Sequence, residues 1–449
     1  MTATLRLRSG QGSDQRPATS HEGQRFVLAL AVFLATAGFA AGQQAAAPPA
    51  PVVDNCRACH AQLDDRLGEP AKQFADDIHG TRGLTCASCH GGDPTQEDME
   101  KSMDRAKGYR GVPKRNEIPQ LCAKCHSDGT FMRAYNPSLR TDQLSQYKTS
   151  VHGKRLAGGD TRVAVCSDCH GIHRIRPASS PISNVHPQQI PATCGRCHGD
   201  AEYMKPYKIP TDQLAGYKTS VHFEKLTGGD LAAPTCATCH GNHGATPPGV
   251  TSVERVCGTC HVFQEQLFDQ SPHKAAWEPL KMSSCLTCHG NHAIKQTSDV
   301  MIGTGKDSIC MTCHSDADNG GKTAGRISTA LAGLDKTLHE AQTVLDSAER
   351  KGMEVSEARV TLSTAHEKLI KARVDLHTMD GARVEETAKA GEKLAKQANQ
   401  DGVQALAEYA FRRKGLALSL LAIAFVVVCL WLLIRNLERP AAKEEAERS

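Results

Sequence analysis

The stretch YKTSVHGKRLAGGDTRVAVCSDCHGIH runs from Tyr147 to His173, and a close copy, YKTSVHFEKLTGGDLAAPTCATCHGNH, runs from Tyr217 to His243. The aligned segments 141–173 and 211–243 share 19 identical residues over 33 positions. Both copies keep an isolated histidine after Ser-Val, a Cys-x-x-Cys-His motif and a further histidine three residues later. Thiols and imidazoles repeated at fixed spacing indicate that the fold is organised around a bound group.

Two thiols three positions apart, followed by histidine, form the attachment signature of c-type haem. The thiols add to the haem vinyl groups, and the histidine becomes the proximal iron ligand. Paired cysteines can also bind zinc or form disulfides, but all copies here end in histidine, which disfavours both alternatives. Of the 19 cysteines, Cys429 lies in an apolar run, and the others form nine motifs. The motif cysteines are Cys56, Cys59, Cys86, Cys89, Cys122, Cys125, Cys166, Cys169, Cys194, Cys197, Cys236, Cys239, Cys257, Cys260, Cys285, Cys288, Cys310 and Cys313; the proximal histidines are His60, His90, His126, His170, His198, His240, His261, His289 and His314.

The motifs are grouped in repeated units. Each unit holds two motifs, beginning at Cys86 and Cys122, Cys166 and Cys194, Cys236 and Cys257, and Cys285 and Cys310. The motif at Cys56 stands alone before the first unit, so the sequence predicts nine covalently bound haem c groups.

This pattern resembles the multihaem c-type cytochromes that carry CxxCHGxH and SxH dihaem repeats, the periplasmic electron-transfer cytochromes. The resemblance covers residues 56–314. It implies that the isolated histidine and the second histidine of CHGxH serve as distal ligands to neighbouring haems. The matching positions are His79, His152, His222 and His273 for the isolated type and His173, His243 and His292 for the other type.

Seven distal histidines leave two of nine irons without an assigned ligand. The first unit reads CHGGD, so Asp93 stands where other units have histidine. Met103 is one candidate replacement, because a thioether is an accepted haem ligand; a solvent-facing methionine is the alternative. His186 precedes a motif and could equally be a loop residue. His377 lies in the following helical segment, where a packed histidine is the competing interpretation.

The composition supports a haem-filled interior. Only 4% of residues are aromatic, too few to build an ordinary core of this size. We therefore predict a mainly α and irregular fold: a haem-packed cytochrome domain, a helical hairpin or three-helix segment, and one C-terminal transmembrane helix. The formal charge of +4 is offset by haem propionates, so nucleic-acid binding has no support.

Terminal segments predict the location. Residues 1–40 read as a signal peptide, although an N-terminal anchor is an alternative, and 41–55 as an Ala/Pro linker. The cytochrome domain is assigned to 56–320 and the helical segment to 321–411. Residues 415–434 contain no charge and are long enough to span a membrane, and 435–449 would be a cytoplasmic tail. We expect a single-pass inner-membrane protein with its haem domain in the periplasm.

The helical segment shows an apolar stripe at helical spacing. Ile327, Leu331, Leu334, Leu338 and Leu345 form it in the first helix, which should end near Gly352. A second helix carries Leu362, Leu369 and Leu376, and a break at HTMDG precedes a last helix that could continue into the membrane.

Two functions remain open from sequence. The favoured one is electron transfer between a quinol-linked membrane partner or small cytochrome and periplasmic or outer-membrane acceptors. The alternative is an oxidoreductase of small nitrogen or sulfur compounds at one haem with an open coordination position. A redox sensor is a minor third possibility, since the tail has no room for an output domain.

Overall fold

The computed structural model describes residues 53–447. The predicted signal peptide and most of the predicted linker lie outside this range. Within it, all regular elements are helical and no strand forms. The prediction of a mainly α and irregular fold is therefore confirmed.

The region that holds the nine motifs consists of short helices joined by irregular segments. Its α-helices are Asn55–His60, Asp65–Gln73, Ile78–Thr81, Cys86–His90, Met99–Ser102, Ile118–His126, Gly129–Tyr135, Gln143–Thr149, Val151–Ala157, Cys166–His170, Ile190–His198, Ala201–Met204, Gln213–Lys218, Val221–Thr227, Cys236–His240, Val262–Asp269, Pro272–Leu280 and Leu286–His289. Its 3-10 helices are Phe74–Asp76, Arg105–Lys107, Arg115–Glu117, Lys205–Tyr207, Val253–Thr259, Asp299–Met301 and Cys310–Thr312.

A glycine ends the first motif helix of each unit. Gly91, Gly171, Gly241 and Gly290 follow the proximal histidine with φ between 71° and 86°, a backbone region that glycine adopts without steric cost. At Gly91 a Cβ atom would lie 2.0 Å from the carbonyl oxygen of Gly108. The chain can therefore turn sharply directly after the motif.

Few apolar side chains are buried in the motif region. One small cluster contains Leu156, Val163 and Val165, with Tyr147 and Tyr207 packed against it. Such a cluster is too small to offset the entropy of ordering this many residues. This observation agrees with an interior completed by prosthetic groups.

The bundle, as we call it here, is the three-helix segment that follows. It comprises Asn319–Arg350, Ser356–Asp375 and the first half of Gly381–Glu447, with a short 3-10 turn at Leu376–Thr378. Its core contains the predicted stripe, and Leu331, Leu334 and Leu345 are fully buried. The remaining core residues are Ile327, Leu338, Ala341, Ala348, Val355, Ala358, Leu362, Ala365, Leu369, Ala372, Val384, Ala388, Ala395, Ala398 and Ala405.

The third helix is 67 residues long in total and continues past the bundle without interruption. Its apolar second half makes it the one helix of the described part that is long and apolar enough to cross a membrane. At the end of the bundle nearest this half, the ammonium of Lys351 lies over the Tyr409 ring. At the opposite end, Arg373 pairs with Asp299 of the motif region at 2.8 Å. The part of the third helix from Gly381 to the start of the apolar stretch at Gly415 rises about 50 Å, at 1.5 Å per residue, and the bundle along it separates the motif region from the apolar stretch.

Candidate haem-binding sites

Eight of the nine proximal histidines face a second imidazole. A metal ion bound by a histidine nitrogen at about 2 Å lies roughly 3 Å from that ring's centroid, so two axial rings are about 6 Å apart. The observed centroid distances are 5.9–6.4 Å, in the pairs His79–His126, His90–His173, His152–His198, His170–His243, His222–His261, His240–His292, His273–His314 and His289–His377. The residues present fit haem held between two imidazoles.

The isolated histidine of each unit pairs within that unit. His152 stands before the first motif of its unit and faces His198, the histidine of the second motif. The same relation joins His79 with His126, His222 with His261 and His273 with His314.

The second histidine of CHGxH pairs across units. His243 faces His170, which belongs to the first motif of the preceding unit. Backbone hydrogen bonds fix this crossing at two boundaries: the Ile78 amide donates to the Ile175 carbonyl at 2.8 Å, and Val221 to Ile294 at 2.9 Å. Each of the three later units thus provides one imidazole for itself and one for the unit before it.

The last unit has no following unit, and the bundle provides the imidazole instead. His377 lies 6.4 Å from His289. Its Nδ1 is hydrogen-bonded with the Val374 carbonyl at 3.0 Å, which leaves Nε2 available for a metal. Among the three additional ligands considered from sequence, His377 is the one brought opposite a proximal histidine.

Asp93 does not leave the motif histidine of its own unit without a facing imidazole. His90, the proximal histidine of that motif, faces His173. In the later units, the histidine at the equivalent position faces a motif of the preceding unit. A histidine at position 93 would therefore face a motif that precedes the first unit, and not a motif of its own unit. Asp93 instead accepts hydrogen bonds from Lys107 and Thr95, and these partners hold the pKa of its carboxyl well below its usual range.

His60 is the proximal histidine that faces no other imidazole within residues 53–447. Its Nδ1 is hydrogen-bonded with the Leu67 carbonyl at 3.2 Å. Met103 is half-buried and directly follows the helix Met99–Ser102, whose Ser102 carbonyl accepts a hydrogen bond from the Asp93 amide. His186 is buried and accepts a weak hydrogen bond from the Gln188 amide at 3.4 Å; it belongs to none of the eight pairs.

Nδ1 partners orient several of the paired rings. Such a bond fixes the tautomer and raises the basicity of the other nitrogen. His90 uses the Gly111 carbonyl at 2.7 Å, and His314 uses Asp318 at 3.2 Å. His79 uses the buried carboxylate of Asp77 at 2.9 Å. Sequence reasoning missed Asp77; the signal available was that Asp replaces the serine of the other SxH segments.

Burial keeps many of the paired imidazoles neutral. Burial, followed by repulsion from His243, lowers the pKa of His170 to about 4. Burial is also the largest cause of the lowered pKa of His126, His152, His173, His198, His222, His240, His243, His273, His289 and His377. A neutral imidazole is the form that binds a metal.

Cysteines of consecutive motifs are electrostatic neighbours. A hydrogen bond with Cys166 raises the pKa of Cys122, and the same type of bond with Cys236 raises the pKa of Cys194. Neighbour relations link all nine motifs in sequence order, through Cys56 and Cys86, Cys89 and Cys125, Cys122 and Cys166, Cys169 and Cys197, Cys194 and Cys236, Cys239 and Cys260, Cys257 and Cys285, and Cys288 and Cys310.

Comparisons with known proteins agree with this geometry. Residues 78–199 match the family described as cytochrome c3, and residues 278–319 match the doubled CXXCH motif. The chain is similar to a C-type polyheme cytochrome, OmcC, of Geobacter sulfurreducens, at 22% identity over 201 residues. The alignment covers 36% of this chain and 24% of that relative, so the chain spans about a quarter of the relative's length. No solved structure matches.

Motifs, paired imidazoles and family matches together define the chain as a multihaem c-type cytochrome that binds haem c covalently. Its class fits a role in electron transport.

Proposed function

We propose that this chain is a membrane-anchored periplasmic cytochrome with nine haem c groups that transfers electrons between redox partners. The donor would be a quinol-linked membrane complex or a small cytochrome, and the acceptors would be periplasmic or outer-membrane proteins. The observation that carries this proposal is the set of eight imidazole pairs at 5.9–6.4 Å. Haem c supplies a one-electron couple when bound, and two imidazoles leave no position for a substrate.

The ligand assignment follows from the pairs. We assign the nine motif histidines as proximal ligands and His79, His152, His173, His222, His243, His273 and His292 as distal ligands. His377 is assigned as the eighth distal ligand. The neighbour relations between consecutive motifs support a continuous relay along the chain.

The length of the bundle favours electron exchange with partner proteins over direct exchange with a quinol in the membrane. The part of the third helix that lies in the bundle, from Gly381 to Gly415, rises about 50 Å at 1.5 Å per helical residue, and it lies between the motif region and the apolar half of the helix. Because electron tunnelling weakens steeply with distance, direct exchange between the relay and a quinol inside the bilayer is disfavoured. A donor with a domain outside the membrane could reach the motif region.

The membrane anchor rests on the third helix. From Leu416 to Leu437 its large apolar side chains are exposed, as expected for a helix that meets lipid. The inner membrane and the periplasmic side are proposed from the signal-peptide pattern, because haem c is attached outside the cytoplasm.

A second candidate function is favoured by His60. A haem on Cys56 and Cys59 would have one imidazole ligand from residues 53–447, unlike the other eight. Such a site could act on a small nitrogen or sulfur compound, which is the alternative function considered from the sequence. Ligation by Met103 is the competing arrangement and would make this haem another electron carrier.

Low-temperature electron paramagnetic resonance of the oxidised full-length holoprotein, with iron counted per chain, separates these functions. Nine irons, all low-spin, would support the electron carrier and require a sixth ligand opposite His60. A stoichiometric high-spin signal that changes with nitrite, hydroxylamine or sulfite would support the oxidoreductase. Fewer than nine irons per fully matured chain would overturn the haem count itself.

A further inference from the structure

The residue two positions before the isolated histidine differs in one unit. Ser150, Ser220 and Ser271 occupy this position in three units, whereas the first unit has Asp77. All four residues are the N-cap of a short helix that contains the isolated histidine. The chain therefore contains its own comparison between a hydroxyl and a carboxylate at one site.

The serine hydroxyl groups form hydrogen bonds with backbone groups at the start of the helix. Ser150 accepts from the Gly153 amide at 3.0 Å and donates to the Tyr147 carbonyl at 2.6 Å. Ser220 makes the equivalent bonds, at 3.1 Å and 2.6 Å. These contacts cap the helix without any bond to the imidazole ring.

Asp77 uses its carboxylate on the histidine itself. One oxygen accepts from both the His79 amide at 2.8 Å and the His79 ring Nδ1 at 2.9 Å. The second oxygen accepts from the Ile175 amide of the next unit at 2.6 Å. Asp77 is 1% exposed, so its negative charge acts in a medium that screens it weakly.

Nearby cations are engaged with a different carboxylate. Arg176 pairs with Asp76 at 2.8 Å, and Arg174 approaches Asp76 at 4.0 Å. Asp76 is exposed and has no hydrogen bond with His79 among the described contacts. Cys89 and His173, which we assign to the preceding haem, lie within range of the Asp77 charge.

We infer that Asp77 is a positioning residue that lowers the reduction potential of the haem ligated by His126 and His79. A carboxylate that accepts the Nδ1 proton makes the imidazole a stronger donor, and a buried negative charge stabilises the ferric state. The inference rests on the proposed ligation by His79. The units of Ser150 and Ser220 have no carboxylate hydrogen-bonded with either of their paired imidazoles among the described contacts, so this haem would have a lower potential than theirs. In the last unit, His314 contacts the exposed carboxylate of Asp318, so that unit is not part of the comparison.

The test is a spectroelectrochemical titration of full-length holoprotein carrying Asp77→Asn, which keeps the shape and removes the charge. We expect the centre ligated by His79 and His126 to move upward the most, with at least a tenfold change in its ratio of reduced to oxidised form at fixed potential, or about 59 mV for a one-electron couple. The centre assigned to His90 and His173 lies near the same charge and should move upward by less. Asp76→Asn is the matched control, because it removes the same charge one residue away, and its titration should match the wild type.

A reciprocal variant, Ser150→Asp, keeps the inference testable if Asp77→Asn fails to mature. It should move the centre ligated by His152 and His198 downward. An unchanged titration in matured Asp77→Asn, or equal shifts in Asp76→Asn and Asp77→Asn, would overturn the inference. A His79→Ala variant whose spectra keep the full set of low-spin signals would instead overturn the ligation on which it rests.

Discussion

The imidazole of His377 lies 6.4 Å from that of His289, across the boundary between the bundle and the last repeated unit. His377 occupies the position that a CHGxH histidine of a further unit would take. The turn that holds it, Leu376–Thr378, leads directly into the third helix at Gly381. The bundle thus completes the array of imidazole pairs and continues into the proposed anchor.

Replacing His377 should change one haem. In His377→Ala the haem on Cys285 and Cys288 would lose its distal imidazole, so one of nine low-spin signals should be replaced by a high-spin signal that responds to carbon monoxide. Electron paramagnetic resonance and visible spectroscopy of the oxidised and reduced holoprotein measure this change.

His366 offers the matched control for this variant. It lies in the preceding bundle helix, and its Nδ1 is hydrogen-bonded with a backbone carbonyl, that of Leu362, at 3.1 Å. His366→Ala should leave all haem signals unchanged. Identical spectra for the two variants would argue against ligation by His377.

The angles between paired rings predict two classes of low-spin signal. The planes of His79 and His126 are at 86°, whereas those of His170 and His243 are at 5°. Perpendicular axial imidazoles leave the ferric iron orbitals nearly degenerate and give a highly anisotropic signal, while parallel rings give an ordinary rhombic one. The oxidised protein should show both classes.

Single variants assign these signals. His79→Met should remove intensity from the anisotropic class, and His243→Met should remove it from the rhombic class. Each variant serves as the control for the other. Loss from the same class in both would contradict the ring orientations.

Folding of the motif region should depend on haem attachment. When the full-length chain is produced without the haem-attachment machinery, we expect the motif region to stay unfolded, because its buried apolar clusters are small. The bundle should still fold around its own core. Limited proteolysis with mass spectrometry should then leave a protected fragment beginning near residue 319, and equal protection of both regions would contradict this expectation.

The bundle core sets the stability of the helical part. Leu345→Ala removes a fully buried side chain and should cost about 2–5 kcal/mol. Val360→Ala is the control, since Val360 is 68% exposed on the neighbouring helix, and it should cost little. Thermal melting of detergent-solubilised holoprotein, followed by far-ultraviolet circular dichroism, would detect the difference; equal melting temperatures would contradict it.

Much of this architecture follows from local sequence features. The attachment motifs, the leucine stripe from Ile327 to Leu345 and the helix end near Gly352 depend on residues close together in the chain. The structure agrees with the last two: the stripe is buried, and the first bundle helix ends at Arg350, before Gly352 with φ of 76°.

The pairing of imidazoles could not be read from the sequence alone. His243 faces His170 and not His240, three residues away, because the turn at Gly241 directs the chain toward the preceding unit. The spacing of residues does not encode that direction. The sequence shows that Asp93 replaces the histidine of the other units, but it does not show which motif histidine a residue at that position would face. Whether this replacement leaves a haem without a ligand therefore depends on the folded structure.

The exchange of imidazoles between successive units has a consequence for how such a chain can lengthen. A unit inserted in the middle would receive one histidine from the unit after it and provide one to the unit before it. Every haem between the two ends would therefore keep two imidazoles. Only the two ends need separate solutions, and here these are His377 and the environment of His60. Duplication of a 70-residue block, such as the one that relates 141–173 to 211–243, would thus lengthen the row of haem sites without requiring any new ligand. The length of the row could therefore change readily in evolution.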